Sequence, residues 1–348
     1  MNSADALPLG ILMFAFFIAG ALIIPFINLL YKLKFQRVVQ KTIDPLGQRA
    51  KIFDKFNQQK AGTPIGGGVL MVGLMGLLFA LLWPLLRLVG INATSNYPDL
   101  KLEIFIIFFT LFSFGLLGLY DDIKKFFDVK KTKFFGLKMV HKLFLQIALA
   151  TIISLLIYFG LGINFLNVPF LGTIQMGWLM LPFMIFVIVA FTNAVNITDG
   201  MDGLAGGLLM FALLGLWIIS LQIMDTPMVI FIALWLGNLL AFLYFNVFPA
   251  RLFMGDSGAL AFGATLAVIG ILLGKSIALA IIGLIFVVEI ATSLIQLLSK
   301  KIRGKKVFSV SPMHLYLRNL GWEEPKIVQR LWLVQIVLTI FGVWITLI

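Results

Sequence analysis

Hydropathy restricts the fold of this chain more than any other feature of its sequence. Of 348 residues, 61% are hydrophobic and only 12% are charged, and the mean hydropathy is +1.06. This composition excludes a soluble globular domain, because lipid must solvate most of the surface. The 34 Phe and 32 Gly residues are typical of packed membrane helices, in which small residues allow backbones to approach closely. The sequence contains no Cys, which excludes disulfides and thiolate chemistry.

Apolar runs long enough to cross a bilayer, about 20 residues each, recur along the chain. We predict an all-α integral membrane protein with about ten membrane-spanning helices in a single polytopic domain, residues 1–348. The first run is longer than the apolar region of a signal peptide and lacks a basic segment before it, so we predict that it is retained. The predicted spans cover residues 7–31, 66–89, 103–120, 143–162, 175–194, 203–222, 227–246, 257–274, 276–298 and 328–348.

Basic residues are concentrated on one side of this topology. All but three of the 27 Lys and Arg residues lie in the odd-numbered connections, residues 32–65, 121–142, 247–256 and 299–330. Because Lys and Arg are enriched in cytoplasmic loops, we predict that these connections face the cytoplasm and that both termini lie outside. The net charge of +12 is then a property of the cytoplasmic membrane surface, where it attracts anionic lipids, and does not indicate nucleic acid.

Two carboxylates end the third predicted span. Asp121 and Asp122 are adjacent, and neighbouring carboxylates at a membrane boundary repel each other unless a cation neutralises them. Mg²⁺ prefers carboxylate and phosphate oxygens, and Lys125 suits a phosphate-rich ligand. A solvated helix end with snorkelling lysines explains the same residues, so both interpretations stay open at this point.

A second polar cluster joins the fifth and sixth spans with almost no spacer. Asn193, Asn196, Asp199 and Asp202 recur every three residues, which places them on one face if the segment is helical. We favour a ligand site over a turn with Asx caps, because four regularly spaced amides and carboxylates lie at membrane depth.

Four further polar residues are candidates for a site or for structural roles. Asp256 directly precedes the eighth span, where it either caps the helix or binds a cation. Lys60 precedes the glycines 66–68 at the start of the second span, a general anion-binding arrangement. His314 lies in the basic C-terminal connection, and Glu289 lies deep in the ninth span, where we favour a structural partner over catalysis. Together the clusters predict phosphoryl transfer, which requires charge neutralisation and positioning more than covalent help from the protein.

In these residues the chain resembles the polyprenyl-phosphate N-acetylhexosamine-1-phosphate transferase superfamily, and most closely its phospho-N-acetylmuramoyl-pentapeptide-transferase family. The C-terminal motif favours this branch over the GlcNAc-1-phosphate branch. The shared motifs, in chain order, are Lys60-Ala-Gly-Thr-Pro, Leu119-Tyr-Asp-Asp, Asn193-Ala-Val-Asn-Ile-Thr-Asp-Gly-Met-Asp-Gly, Phe253-Met-Gly-Asp-Ser-Gly, and Gly321-Trp-Glu-Glu-Pro followed by Arg330-Leu-Trp.

The resemblance implies transfer of phospho-MurNAc-pentapeptide from its UDP carrier to undecaprenyl phosphate, yielding lipid I and UMP for peptidoglycan synthesis. It also implies Mg²⁺ as cofactor, a bacterial inner membrane, an active site on the cytoplasmic side and a homodimer. The implied catalytic residues, which position or deprotonate the lipid phosphate and support the metal, are Asp121, Asp122 and Asp256. The implied metal ligands are Asp256 and Asp199. The implied substrate-binding residues are Lys60, Lys125, Asn193, Asn196, Asp199, Asp202 and His314.

One segment departs from the family pattern. The family's His-His-His-Phe-Glu run is here His314-Leu-Tyr-Leu-Arg318, which keeps the first His and replaces the acid with a base. The donor is therefore left open, and another UDP-N-acetylhexosamine is the alternative substrate. A transporter or flippase of a phosphorylated lipid is the alternative class of protein, but clustering of Asp in one-sided loops favours the enzyme.

Overall fold

The computed structural model describes residues 3–37, 54, 58–88, 93–128 and 136–348. This part of the chain is almost entirely helical, because in lipid every backbone N–H and C=O group must be bonded within the protein. The helices, in chain order, are α1 (Ser3–Lys32), α2 (Gly67–Leu88), α3 (Leu100–Asp128), α4 (Met139–Leu155), α5 (Met180–Thr198), α6 (Leu204–Gln222), α7 (Thr226–Asn246), α8 (Asp256–Leu272), α9 (Ser276–Ile282), α10 (Leu284–Arg303), α11 (Met313–Asn319) and α12 (Glu324–Leu347).

Among the described residues, eight helices are long and apolar enough to cross a membrane, namely α1 to α7 and α12. The helix α4 reaches this length together with the π-helical turn Leu156–Gly160 that continues it. The prediction of a multi-pass, all-α membrane protein is therefore confirmed. The remaining apolar segments, α8 and the pair α9–α10, correspond to the predicted spans 257–274 and 276–298.

The predicted continuous span 276–298 is broken in the structure. The helices α9 and α10 meet at an angle of 78° around Gly283, and they make a ninth candidate span in the described chain only if the bent pair counts as one. A Cβ added at Gly283 would lie 2.6 Å from the ring of Phe191, so the close approach of α5 at the bend excludes any larger residue. Hydropathy does not reveal this bend, because the run is apolar throughout.

A short β-hairpin, which the sequence did not predict, lies between α4 and α5. Its strands β1 (Phe165–Val168) and β2 (Gly172–Gln175) pair antiparallel, with Leu166 opposite Ile174. The Asn167 side chain donates a hydrogen bond to the carbonyl oxygen of Gly274 at 3.1 Å. The hairpin is therefore attached to the turn between α8 and α9.

The core centres on α7 and α8, which are buried along almost their whole length. Glycines allow two neighbouring helices to approach the start of α8 closely. A Cβ added at Gly118 of α3 would lie 2.1 Å from the carbonyl oxygen of Asp256, and one at Gly68 of α2 would lie 2.1 Å from the nitrogen of Gly258. These contacts bring the end of α3 and the starts of α2 and α8 to one point, where several predicted site residues lie.

Candidate active site

Asp122 holds the first turn of α8. Its Oδ1 accepts a hydrogen bond from the N–H of Asp256 at 3.1 Å, and its Oδ2 accepts one from the N–H of Ser257 at 3.0 Å. The first N–H groups of a helix have no partner within the helix, so a carboxylate from α3 supplies the cap that α8 lacks. The alternative role of Asp256 as the cap is therefore not observed, and the Asp256 side chain is available for other contacts.

The carboxylates of Asp121 and Asp256 share two ammonium groups. The Lys125 Nζ lies 3.1 Å from Asp121 Oδ2 and 2.8 Å from Asp256 Oδ2. The Lys142 Nζ lies 3.0 Å from the same Asp121 oxygen and also pairs with Asp256 Oδ2. The N–H of Leu137 donates to Asp121 Oδ1 at 2.7 Å. Two carboxylates and two cations from α3, α4 and α8 thus converge, and we name these four side chains the Asp121–Asp256 cluster.

Sequence reasoning missed Lys142. It is one of seven basic residues between 121 and 142, and its neighbours in the chain do not distinguish it from the others. Only the packing of α4 against α3 brings its ammonium group to the carboxylates. A prediction of this contact would have required the register between the two helices.

The segment with Asn193, Asn196, Asp199 and Asp202, here called the Asn/Asp motif, divides between the end of α5 and the turn that follows it. The helix α5 ends before Asp199, whose φ of −73° and ψ of 38° are not helical, so the predicted common face holds only for Asn193 and Asn196. The Asn193 side chain donates to Gln146 of α4 at 2.6 Å and so joins the two helices. The Asn196 Nδ2 is buried and has no hydrogen-bond partner within the described residues, which leaves a donor for a ligand.

Asp202 lies in a second buried ion cluster with Lys60 and Glu324. The Lys60 Nζ lies 2.6 Å from Asp202 Oδ1 and 2.5 Å from Glu324 Oε1. The same glutamate oxygen accepts the N–H of Asp202 at 2.8 Å, and Arg318 pairs with the other oxygen, Oε2. Glu324 and Arg318 were not predicted as site residues. The signal for Glu324 was its place in the C-terminal motif, as a carboxylate at the start of the last span.

Glu289 is the partner of His314. The His314 Nδ1 lies 2.9 Å from Glu289 Oε2, and the His314 backbone N–H donates to Oε1 at 3.1 Å. Both side chains are fully buried. A Cβ added at Gly200 would lie 2.7 Å from His314 Nε2, so the imidazole packs against the turn of the Asn/Asp motif. The glutamate therefore fixes the ring of a predicted substrate-binding residue.

Asp199 lies in the electrostatic field of both ion clusters. Loss of contact with water raises the pKa of the Asp199 carboxyl to about 8, and the Asp256 and Asp122 carboxylates add to this rise. Arg37 and Lys60 oppose it. A further cation close to this carboxyl would favour its ionised form.

Oxygen donors at this site fit Mg²⁺. Within the ranges that the structure describes, no three His, Asp or Glu side chains are grouped to enclose a metal ion. Mg²⁺ does not need such a cage, because proteins usually hold it through one or two carboxylates together with substrate phosphates. Asp256 attracts two ammonium groups, and a cation beside Asp199 would favour its ionised form, so both carboxylates offer oxygens suited to Mg²⁺.

Comparison with known proteins assigns the family. Residues 104–274 match the model of Glycosyl transferase family 4. A phospho-N-acetylmuramoyl-pentapeptide-transferase of Clostridium perfringens is 34% identical over 321 residues, which cover 92% of each chain. The chain belongs to the phospho-N-acetylmuramoyl-pentapeptide-transferase family.

Two further members of this family match this chain over most of its length at similar identity. The enzyme from Acetivibrio thermocellus is 35% identical over 95% of this chain and 92% of its own. The enzyme from Oceanobacillus iheyensis is 37% identical over 83% of this chain and 85% of its own. Membership of the phospho-N-acetylmuramoyl-pentapeptide-transferase family confirms the resemblance carried by the motifs and the prediction of a membrane transferase.

Proposed function

We propose that this chain transfers phospho-MurNAc-pentapeptide from UDP-MurNAc-pentapeptide to undecaprenyl phosphate, producing lipid I and UMP for peptidoglycan synthesis. Its family membership supports this reaction. The structural observation that carries the proposal is the Asp121–Asp256 cluster, in which carboxylates and lysines from three helices converge at the end of α3. Such a cluster can neutralise and align phosphates, which is the main requirement of phosphoryl transfer.

The reaction exchanges one P–O bond for another. An oxygen of undecaprenyl phosphate attacks the β-phosphorus of the UDP donor, the bond from that phosphorus to the bridging oxygen breaks, and UMP leaves with the bridging oxygen. A phosphate monoester is already largely ionised near neutral pH, so the attacking oxygen does not need a general base. In this mechanism Asp121 orients cations and is not required to remove a proton.

The lysines of the Asp121–Asp256 cluster bind the reacting phosphates. Lys125 and Lys142 lie between the carboxylates and can turn their ammonium groups to phosphate oxygens as negative charge moves toward the leaving UMP. Asp256 and Asp199 would hold Mg²⁺, which supplies charge neutralisation and polarises the phosphoryl group when bound. Asp122 keeps Asp256 in place through the backbone of α8.

The turn of the Asn/Asp motif binds the nucleotide side of the donor. Asn196 has a buried amide nitrogen without a partner in the described chain, and Lys60 forms an ion pair with Asp202 of this turn. His314, whose ring is held by Glu289, packs against Gly200 of this turn. We expect these three groups to contact a phosphate ester of the bound donor.

The site faces the cytoplasm in the orientation that we propose for this protein in the membrane. The basic connections face the cytoplasm, both termini lie outside, and the site at the end of α3 opens to the cytoplasmic side of a bacterial inner membrane. This orientation is supported by the one-sided distribution of Lys and Arg. The single domain of residues 1–348 and the homodimer stay predictions, and light scattering of the detergent-solubilised protein tests the dimer.

A donor panel tests the proposed function. Purified protein is incubated with undecaprenyl phosphate, Mg²⁺ and one UDP-sugar at a time, and released UMP is measured. We expect release with UDP-MurNAc-pentapeptide. Absence of UMP with every donor refutes the transferase, and release with UDP-GlcNAc alone assigns the chain to the sister branch of the superfamily.

A further inference from the structure

We propose that the guanidinium group of Arg37 binds the diphosphate of the UDP-linked donor. Arg37 lies shortly after the end of α1, in a segment that sequence reasoning did not assign to the site. This inference rests on the proposed function and adds a residue that contacts the donor. Arginine suits this task, because its planar group offers five N–H donors in a fixed fork that matches phosphate oxygens.

Backbone hydrogen bonds fix Arg37 beside the loop that precedes α2. The N–H of Arg37 donates to the carbonyl oxygen of Thr63 at 2.9 Å, and the carbonyl oxygen of Arg37 accepts the N–H of Gly62 at 2.8 Å. The same loop is held at its next residue, where the carbonyl oxygen of Pro64 accepts the N–H of Phe253 at 2.9 Å. Arg37 is therefore tied, through this loop, to the segment that leads into α8.

The Phe253 ring helps to place the guanidinium group. The guanidinium carbon of Arg37 lies 5.3 Å from the centre of this ring, and the Lys60 Nζ lies 5.9 Å from the same centre. Phe253 is only 8% exposed, so its ring has little freedom to move. A cation within about 6 Å of a ring centre is attracted to the face of the ring. One ring thus attracts two cations from two segments of the chain, and a diphosphate carries enough negative charge to interact with both.

Three carboxylates of the site act electrostatically on Arg37. They are Asp199, Asp202 and Glu324. Asp202 and Glu324 already pair with Lys60, and Glu324 also pairs with Arg318. The structure gives the Arg37 side chain the ring contact and these electrostatic interactions, but no hydrogen bond or ion pair within the described residues. Its N–H donors are therefore available to an anion that enters the site.

The position of Arg37 favours the donor diphosphate over the lipid phosphate. The carboxylates that act on Arg37 belong to the turn of the Asn/Asp motif and to the start of α12, beside the proposed nucleotide side of the donor. Lys125 and Lys142 of the Asp121–Asp256 cluster are the proposed partners of the reacting lipid phosphate. Asp199 is subject to the charges of both Arg37 and Asp256. A diphosphate that extends from this turn toward Asp256 would therefore pass through the field of Arg37.

The test compares Arg37→Gln, Arg37→Lys and the control Lys34→Gln. The dissociation constant of UDP-MurNAc-pentapeptide is measured with Mg²⁺ and without undecaprenyl phosphate. Lys34 is an exposed cation of the same segment, so its variant removes an equal charge outside the site. We expect Arg37→Gln to raise the constant about tenfold, equivalent to about 1.4 kcal/mol. Arg37→Lys keeps the charge but loses the fork and should raise it about threefold, whereas Lys34→Gln should stay within about twofold of wild type.

Competing ligands separate a phosphate contact from a change in the shape of the pocket. UDP carries the diphosphate and uridine carries no phosphate, and the affinity of each is measured by its displacement of the donor. Arg37→Gln should weaken UDP about as much as the donor and uridine less than about twofold. Equal weakening of UDP and uridine would show a distorted pocket and would overturn the phosphate contact.

Two kinetic constants test the other roles open to Arg37. A raised KM for undecaprenyl phosphate with unchanged donor binding would assign Arg37 to the lipid phosphate and overturn the proposal. A changed Mg²⁺ requirement with unchanged donor binding would overturn it as well, because Arg37 would then act only on the Asp199 carboxylate. If Arg37→Gln does not fold, Arg37→Lys carries the same comparisons. Donor binding is measured without turnover, so a wild-type protein that releases no UMP refutes the proposed reaction and not this contact.

Discussion

The two hydrogen bonds between Asp122 and the first turn of α8 can be removed in two steps. Asp122→Asn keeps one carbonyl oxygen as an acceptor but sets an NH₂ group against the second backbone N–H. Asp122→Ala removes both acceptors. Because these N–H groups belong to Asp256 and Ser257, the two variants loosen Asp256, the proposed catalytic carboxylate, to different degrees.

The loss of stability follows from the number of bonds removed. Asp122 is 5% exposed, so water does not restore the lost partners. The loss of one hydrogen bond to a charged acceptor costs about 1.5 kcal/mol, and two buried N–H groups without an acceptor cost about 3 kcal/mol. We expect the melting temperature in detergent to fall by about 2–4 °C per kcal/mol, and therefore about twice as far in Asp122→Ala as in Asp122→Asn.

The rate of UMP release should follow the same order. A displaced Asp256 no longer meets Lys125 and Lys142, so we expect Asp122→Asn to lose about tenfold and Asp122→Ala at least about a hundredfold in kcat. Asp225→Ala is the matched control. Asp225 Oδ1 accepts the N–H of Met228 at 3.1 Å and so caps α7, at the end of that helix away from the site. It should lose stability and keep its turnover per folded molecule.

Two results would refute this account of Asp122. Full turnover in Asp122→Ala would show that the start of α8 does not need the cap. Complete inactivity of Asp122→Asn with a wild-type melting temperature would show that the negative charge of Asp122, and not its hold on α8, is required for the reaction.

Three further substitutions probe the same site through UMP release and melting temperature. Gly118→Ala places a Cβ 2.1 Å from the carbonyl oxygen of Asp256 and should lower the rate of UMP release at least about tenfold. Gly73→Ala, whose Cβ meets nothing within 4 Å, should keep the wild-type rate. Equal rates in the two variants would contradict the close packing of α3 against the start of α8. Glu289→Ala removes both acceptors that hold His314 and should reduce kcat more than Glu289→Gln, which retains an acceptor. Similar rates in the two variants would show that Glu289 does not act by positioning the His314 imidazole. Lys142→Met removes an ammonium group that competes with Mg²⁺ for Asp256. It should lower the maximal rate and also the Mg²⁺ concentration that gives the half-maximal rate. An unchanged Mg²⁺ requirement would contradict this competition.

Hydropathy and motif spacing predicted the parts of this structure that depend on local sequence. The long helices follow from apolar runs, because lipid forces the backbone to satisfy its own hydrogen bonds. The break at Gly283 could not be predicted in the same way, since it depends on the ring of Phe191 in another helix. The attachment of the β1–β2 hairpin at Gly274 could not be predicted either, because it is a long-range contact.

The candidate site shows the same division between local and long-range information. The carboxylates Asp121, Asp199 and Asp256 were recognisable as unusual charges in an apolar chain, whose Asp and Glu total only 15. Lys142 was not, because it differs from neighbouring lysines only in its position after folding. The cap role of Asp122 and the cluster around Glu324 depend on residues more than 100 positions apart, which a single sequence does not connect.

The most direct test of the central claim is identification of the lipid product made by wild-type protein and by Asp256→Asn. Each protein receives UDP-MurNAc-pentapeptide, undecaprenyl phosphate and Mg²⁺, and lipid I and UMP are quantified together by mass spectrometry. We predict equal amounts of lipid I and UMP from the wild type and neither product from the folded variant. Lipid I formed at the wild-type rate by Asp256→Asn would contradict the claim that the Asp121–Asp256 cluster carries the transfer.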